Sequence, residues 1–348
     1  MTDRTAIAPA LLGWHARHGR HDLPWQRNPT PYRVWVSEIM LQQTQVATVK
    51  GYYDRFMDRF PELRSLAAAS LDEVLHLWSG LGYYSRARNL HRTAQLVCSD
   101  YQGQFPEDVA RLATLPGIGR STAAAIRALS AGERAVILDG NVRRVLARAF
   151  AVTGVTTQSA VERRLWELAE ECTPQRDVAA YTQAIMDLGA TVCVRRRPLC
   201  PACPLASVCA ARRTGRQHEI PSPRPRSVRR TRAVVMLLAQ QHDGSILLER
   251  RADRGVWGGL WSPPQFASAD AARLYAATRL RDAEVESQSR TVLRHAFTHF
   301  ELEISPLLAR CAGSAGVMDG PPMLWYNPAV PEQLGLPAPV SALIESLR

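Results

Sequence analysis

Apolar residues recur at the three- and four-residue spacing of amphipathic helices up to about residue 211. Thr30 is predicted to cap a helix that begins at Pro31, and a capping box at 70–73 begins another helix. Further helices are predicted at 7–17, 122–129, 141–150, 159–171 and 181–190. This part of the chain is therefore predicted to be all-α.

The pattern changes after residue 211. A segment rich in proline and arginine, without an apolar period, predicts an extended linker at 212–231. Alternating apolar residues beyond it predict two strands joined by an Asp243-Gly244 turn. The predicted elements are strands at 233–239 and 245–249, a helix at 270–280 and strands within 291–305. We therefore predict a multidomain chain, with an all-α domain at 1–211 and a smaller α+β domain at 232–348.

The net charge of the 348 residues is +11, which favours a polyanionic partner such as nucleic acid. No apolar run approaches the ~18 residues that a membrane span needs, and no signal-peptide core opens the chain. Lys50 is the only lysine, and this bias toward arginine indicates a GC-rich bacterial genome. We expect a cytoplasmic, nucleoid-associated protein.

A Gly-x-Gly turn at Gly117 and Gly119 separates two predicted helices. We expect positive φ at both glycines, which leaves backbone N–H groups bare at a helix N-terminus, where they can bind a phosphate. A purely structural turn is also consistent with this common motif. Downstream, a β-branched run leads to Asp139, which is predicted to cap the next helix.

Glu38 is predicted to lie on or beside the apolar stripe of its helix, near Trp35 and Ile39. Burial there raises the pKa of a carboxyl group, as a general acid working near neutral pH requires. The pattern alone is equally consistent with a surface glutamate at the edge of the stripe.

Four of the seven cysteines form a C-x6-C-x2-C-x5-C pattern, and the chain shows no sign of a disulfide framework. Four thiolates in one short loop indicate either a zinc site or a [4Fe-4S] cluster. Three consecutive arginines within the loop are candidate phosphate contacts. The cysteines are Cys193, Cys200, Cys203 and Cys209, and the arginines are Arg195, Arg196 and Arg197.

The sequence resembles a known protein family over nearly the whole chain, and three segments carry the resemblance most clearly. LPGIG at 115–119 resembles the hairpin of helix-hairpin-helix DNA glycosylases, and ILDGNV at 137–142 their catalytic aspartate segment. WVSEIMLQQTQ at 35–45 is similar to the catalytic helix of the MutY-type adenine DNA glycosylases. The resemblance implies a monomeric enzyme with a [4Fe-4S] cluster that excises adenine opposite 8-oxoguanine, or guanine, in duplex DNA.

The resemblance also implies roles for particular residues. Glu38 protonates the adenine and then activates water, while ionised Asp139 stabilises the sugar cation. The implied supporting catalytic residues are Ser121 and Asn141; the adenine-binding residues are Trp25, Gln26 and Gln183; and the DNA-binding residues are Gln42, Gln43, Tyr83, Gly117, Gly119, Arg195, Arg196 and Arg197.

The C-terminal part, with WGGLW at 257–261, resembles the Nudix or MutT-like domain of the same enzymes. Nudix hydrolases need an Arg-Glu-x-x-Glu-Glu helix, and this sequence contains no Arg-Glu pair, so we expect no nucleotide hydrolysis. The family's lesion-reading loop is matched by Phe297, Thr298 and His299, where threonine stands in place of the usual serine. A plain strand with Phe297, His299 and Glu301 on one face is the simpler alternative, and it could hold at the same time.

Two other functions remain open at this point. Bifunctional relatives of the endonuclease III type carry a nucleophilic lysine where this chain has Ser121, which disfavours lyase chemistry. A non-catalytic iron-sulfur DNA-binding module is a second alternative, in which Glu38 and Asp139 are merely structural.

Overall fold

The computed structural model describes residues 3–223, 229–286, 291–314 and 321–347. Its helices are α1 (Ile7–His18), α2 (Pro31–Leu41), α3 (Val46–Arg59), α4 (Leu63–Ala68), α5 (Leu71–Trp78), α6 (Ser85–Asp100), α7 (Val109–Leu112), α8 (Arg120–Ala131), α9 (Gly140–Ala149), α10 (Ser159–Cys172), α11 (Val178–Thr191), α12 (Ala210–Arg213), α13 (Ala269–Arg279) and α14 (Ala338–Glu345). Its strands are β1 (Arg230–Gln240), β2 (Ile246–Arg250), β3 (Trp261–Ser262), β4 (Gln265–Phe266), β5 (Leu280–Arg281), β6 (Glu284–Val285), β7 (Leu293–Ala296), β8 (Phe300–Arg310), β9 (Gly313–Ser314) and β10 (Met323–Tyr326).

The chain folds into two compact units, which confirms the predicted multidomain fold class. The helical unit takes Met1–Ala68 and Asn89–Pro225, and the sheet unit takes Ala69–Arg88 and Arg226–Arg348. The predicted domain limits remain predictions, because units defined by contacts need not end where composition changes. Within the described ranges, no helix is both long and apolar enough to cross a membrane.

One hydrophobic cluster of the helical unit is built from α1, α8, α9, α10 and α11. Apolar side chains of α11 pack against α1, α8 and α9, and residues 135–138 cross this core as a buried extended segment. Because both this segment and α9 are buried, the position of the residue that joins them is fixed. That residue is Asp139, the N-cap of α9.

The sheet unit contains a sheet with the strand order β10-β2-β1-β8-β6. Strands β1 and β8 run parallel along their whole length, from Arg230 opposite Phe300 to Gln240 opposite Arg310, and the other pairings are antiparallel. Helix α13 packs on the sheet through Ala272 and Ala276. The predicted strands, turn and helix of this part therefore exist with small differences in their ends.

Residues 69–88 belong to the sheet unit although they lie far from it in the sequence. The Trp261 indole N–H donates to Asp72 Oδ1 at 3.1 Å, and the Tyr84 hydroxyl donates to the Leu336 carbonyl at 3.2 Å. His76 Nδ1 lies 3.2 Å from the Leu334 carbonyl oxygen. Three polar contacts thus tie this segment to strands and loops that follow it by more than 170 residues.

Candidate active site

Glu38 lies in the last turn of α2, which starts where the Thr30 hydroxyl accepts a hydrogen bond from the Arg33 backbone N–H. Trp35 and Ile39 beside it are buried, and Glu38 is only partly accessible. Its carboxyl group has no hydrogen bond or ion pair with any residue in the described ranges. Burial first, and then the charge of Asp139, raises the pKa of Glu38 to about 8. At neutral pH this carboxyl group holds a proton that it can donate.

Asp139 caps α9, as predicted, and its Oδ1 accepts the Val142 backbone N–H at 2.7 Å. Backbone and side-chain groups of Asn141 also bind the carboxylate, and the positive charge of Arg144 lies near it. Burial raises the pKa of Asp139, while all of these contacts oppose the rise. Glu38 has no such contacts, so nothing opposes the rise in its pKa, and of the two carboxyl groups it is the better placed to hold a proton.

Asn141 is held in one orientation by Arg144, whose Nη2 donates to Asn141 Oδ1 at 2.8 Å. This bond occupies the amide oxygen, so the amide nitrogen is the group left to face Asp139. Arg144 also donates to the Gly189 carbonyl at 2.7 Å and to the Cys193 carbonyl at 2.7 Å. The same guanidinium therefore joins the candidate catalytic segment to the start of the cysteine loop.

Ser121 Oγ accepts the Leu138 backbone N–H at 3.0 Å and so holds the residue that precedes Asp139. The sole lysine is on α3, and its ammonium forms an ion pair with Asp22 at 2.9 Å. The position that carries a nucleophilic lysine in lyases thus holds a hydroxyl that accepts a backbone hydrogen bond.

Trp25, Gln26 and Gln183, predicted to bind adenine, line one cavity of about 320 Å³ in the helical unit. Gln183 is buried and its Nε2 donates to Asp187 Oδ1 at 2.7 Å, which leaves its Oε1 and second N–H for a ligand. Gln26 is already engaged with the backbone, through the Leu23 N–H and the Arg20 carbonyl. Of the two glutamines, Gln183 is the one whose amide oxygen accepts no hydrogen bond from the described residues.

The sequence analysis missed a group of side chains that supports this cavity. Asp187 is fully buried and accepts bonds from the Arg20 backbone N–H at 2.7 Å and guanidinium at 2.6 and 2.9 Å. His15 lines the cavity, with Nε2 3.6 Å from the same carboxylate. Arg20 and Asp187 are separated by 167 residues, so no local pattern signals their pairing.

The Gly-x-Gly turn departs from expectation at one glycine. Gly117 has φ +78°, and a side chain there would place its Cβ 2.9 Å from Asn89 Cβ. Gly119 has φ −91°, so the expected positive φ at this position is wrong. It is the N-cap of α8, where an extended backbone is normal, and the space beside it is open. Gly119 therefore leaves the helix N-terminus accessible rather than relieving strain.

Two further DNA-binding candidates follow α2 directly. Gln42 is the C-cap residue of that helix, and Gln43 is exposed with φ +58°. The chain thus reverses direction immediately after the helix that carries Glu38.

The four predicted metal ligands converge, since Cys193, Cys200, Cys203 and Cys209 line one small cavity together with Arg148. In the described ranges, no three potential ligands lie close enough to hold a single metal ion. Four thiols around a common space are a donor set that suits either a zinc ion or an iron-sulfur cluster. Arg195, Arg196 and Arg197 are exposed, and the first two line a second cavity of about 500 Å³ with three arginines of α9.

In the sheet unit, Phe297, Thr298 and His299 form the tip of the β7–β8 hairpin, closed by the Phe297 N–H to Phe300 carbonyl bond at 2.8 Å. The alternative of a plain strand here is wrong. The Thr298 and Tyr83 hydroxyls are 3.0 Å apart, while His299 is exposed. The two hydroxyl-bearing residues, together with Phe297, line a cavity of about 590 Å³. The hairpin tip and the turn at residue 83 thus form one surface.

Comparisons with known proteins agree across both units. Residues 36–171 match the HhH-GPD superfamily of base excision DNA repair proteins, and residues 234–346 match the NUDIX domain. An adenine DNA glycosylase of Buchnera aphidicola subsp. Acyrthosiphon pisum (strain APS) is 36% identical over 344 residues, covering 97% of this chain and 96% of that protein. The adenine DNA glycosylase of Homo sapiens is 44% identical over 225 residues, which cover 62% of this chain and 41% of the human protein. A solved thermostable thymine-DNA glycosylase has a TM-score of 0.55 at 28% identity, covering 61% of this chain and 97% of that chain.

Proposed function

The chain belongs to the adenine DNA glycosylase family, and we propose that it hydrolyses the N-glycosidic bond of adenine mispaired with 8-oxoguanine, or with guanine, in duplex DNA. The observation that carries this proposal is the asymmetry of the two carboxyl groups. Glu38 has a pKa of about 8 and no hydrogen bond from the described residues, whereas Asp139 is bound by groups that favour its ionised form.

The adenine has to leave the base stack before reaction, because its glycosidic bond is inaccessible within the duplex. The cavity lined by Trp25, Gln26 and Gln183 is of a suitable size and character for a planar base. Gln183 supplies one acceptor and one N–H, which match the amino group and a ring nitrogen of adenine. Asp187 and Arg20 keep that glutamine in place.

Glu38 donates its proton to the flipped adenine, at N7, and converts the base into a neutral leaving group. The sugar that remains develops positive charge, and the ionised Asp139 stabilises it. Glu38, now deprotonated, accepts a proton from the water that attacks the sugar carbon. Asn141 and Ser121 orient Asp139 through the amide contact and through the Leu138 backbone.

The enzyme acts as a monofunctional glycosylase. Ser121 cannot form a Schiff base with the sugar, and Lys50 is held in an ion pair with Asp22. Strand cleavage is therefore left to alkali or to another enzyme.

The four cysteines hold a [4Fe-4S] cluster, which orders their loop when it is bound. That loop presents Arg195, Arg196 and Arg197 for phosphate contacts, and the first two line a cavity with Gly140 at the N-terminus of α9. Gln42 and Gln43 contact the duplex near the adenine.

Lesion recognition belongs to the hairpin tip at Phe297, Thr298 and His299, and Tyr83 enters the base stack beside it. The Tyr83 to Thr298 contact supports this pairing, because one hydrogen bond links the wedge to the lesion reader. When DNA is bound, the Thr298 hydroxyl can exchange its hydrogen bond with Tyr83 for one with a donor or acceptor of the oxidised guanine.

A single-turnover assay tests the function. The purified chain is incubated with a duplex that contains one adenine opposite 8-oxoguanine, and the strand is analysed with and without alkali. We expect cleavage at the adenine only after alkali. Cleavage without alkali would revive the lyase alternative, and intact adenine in a duplex that the protein binds would leave a recognition module.

A further inference from the structure

Arg148 is a buried arginine near the end of α9, with only 3% of its surface exposed. Its guanidinium donates to three backbone carbonyls: Nε to Ile220 at 2.9 Å, Nη1 to Val194 at 2.7 Å and Nη2 to Arg195 at 3.1 Å. One side chain therefore binds both the cysteine loop and the segment that leads away from it.

Arg148 also reaches the sulfur of the first cysteine in the loop. Its Nη1 lies 3.3 Å from Cys193 Sγ, within hydrogen-bond distance for sulfur, and Arg148 lines the same small cavity as all four cysteines. Arg144, one turn earlier, donates to the Cys193 carbonyl oxygen instead of the sulfur.

The charge of Arg148 has no carboxylate partner among the residues that the structure describes; its guanidinium donates to carbonyl oxygens and to the Cys193 sulfur. A buried charge without a counter-charge is strongly destabilising, so a buried guanidinium of this kind calls for an anion. Four cysteine thiolates outweigh the positive charge of a [4Fe-4S] core and make the whole assembly anionic. The cysteine cavity is thus where the missing counter-charge belongs.

We propose that Arg148 is the buried counter-charge of the iron-sulfur cluster, and that its N–H···S bond to Cys193 raises the reduction potential of the cluster. Adding an electron makes the cluster more negative, and a fixed cation beside it stabilises the reduced form. Hydrogen bonds to cluster sulfurs and local charge are among the main determinants of such potentials. The inference rests on the cluster part of the proposed function and does not depend on adenine chemistry.

A purely structural role is the competing explanation, in which Arg148 pins the loop through its carbonyl contacts alone. That role predicts a looser loop in a variant without any specific effect on the electronic properties of the cluster. The potential and the magnetic coupling of the cluster separate the two explanations.

The first experiment compares the wild-type holoenzyme with Arg148→Gln and Arg148→Lys by voltammetry and by the rate of iron release to a chelator. We expect Arg148→Gln to lower the midpoint potential and to release iron about tenfold faster. Arg148→Lys keeps the charge without the planar fork, and we expect intermediate values. Arg164→Gln removes the same charge from the exposed Arg164–Glu167 pair on α10, so both measurements should be unchanged.

A second measurement detects the contact itself. In holoenzyme grown with arginine labelled with 15N only in its guanidinium, electron-nuclear double resonance of the paramagnetic cluster should detect a coupled nitrogen that is lost in Arg148→Gln, which separates Arg148 from Arg212 in the same cavity. A missing coupling, or an Arg148→Gln protein with the wild-type potential, would overturn the inference. Wild-type protein without iron and sulfide would instead refute the cluster itself, so the two failures are distinguishable.

Discussion

The end of α2 and the start of α9 place the same functional group in opposite surroundings. At the end of α2, Glu38 lies among apolar side chains and its carboxyl group receives no hydrogen bond from the described residues. At the start of α9, Asp139 receives backbone and side-chain N–H groups at a helix N-terminus. The comparison teaches that burial beside an apolar helix stripe favours the protonated form of a carboxyl group, whereas the N–H groups of a helix cap favour the ionised form and oppose the effect of burial.

The largest effect is expected from removing the proton donor. Glu38→Gln keeps the shape of the side chain but cannot donate a carboxyl proton, so the single-turnover rate of adenine release should fall by about 10³-fold or more. Binding to the duplex, measured by anisotropy, should change little. Glu167→Gln, at an exposed ion pair on α10, is the matched control. A rate within tenfold of wild type would mean that Glu38 is not the acid.

The second effect is expected from neutralising the other carboxyl group. Asp139→Asn can still accept the Val142 N–H but cannot stabilise a cationic sugar electrostatically, so the rate should fall by about 10²-fold. Unchanged turnover would remove Asp139 from the mechanism.

The pH profile sharpens the same comparison. Glu38 must be protonated to act and its pKa is about 8, so the wild-type rate should fall as the pH rises through about 8. The negative charge of Asp139 raises that pKa, so its loss in Asp139→Asn should move the alkaline limb to lower pH. A limb that stays in place would show that the two groups do not interact.

A smaller effect is expected from Arg144, which holds Asn141 toward Asp139. Arg144→Gln should lower the rate about tenfold while duplex binding persists, because Asn141 becomes free to rotate. Arg164→Gln removes the same charge from the exposed Arg164–Glu167 pair on α10, without a contact to Asn141 or Leu138, and serves as the control. Equal effects of the two substitutions would indicate a general loss of charge instead of lost orientation.

The smallest effect is expected from the Tyr83–Thr298 contact, because its loss leaves both carboxyl groups intact. Thr298→Ala and Tyr83→Phe each remove one hydroxyl of the 3.0 Å contact, so each should reduce the preference for 8-oxoguanine over guanine a few-fold. The double variant should be no worse than either single one, since the same bond is lost. Additive losses would indicate that the hydroxyls act independently.

Features set by near neighbours were the ones that the sequence could predict. Asp139 binds a backbone N–H only three residues away, and the stripe beside Glu38 is visible in its own helix. Contacts between residues far apart in the sequence could not be predicted in this way. Arg20 contacts Asp187, and Arg148 contacts Cys193, only after the helices pack. The conformation expected at Gly119 was wrong because the motif does not show that this glycine is the N-cap of α8, where an extended backbone is normal.

Each of the two units is built from two separate stretches of the chain, and this has a practical consequence for engineering the protein. Residues 69–88 interrupt the helical unit in sequence but take their hydrogen-bond partners from the sheet unit, at Trp261, Leu334 and Leu336. Truncation after the linker strips this inserted segment of those partners. Exchanging the C-terminal region between homologues should therefore include residues 69–88 in the transplant.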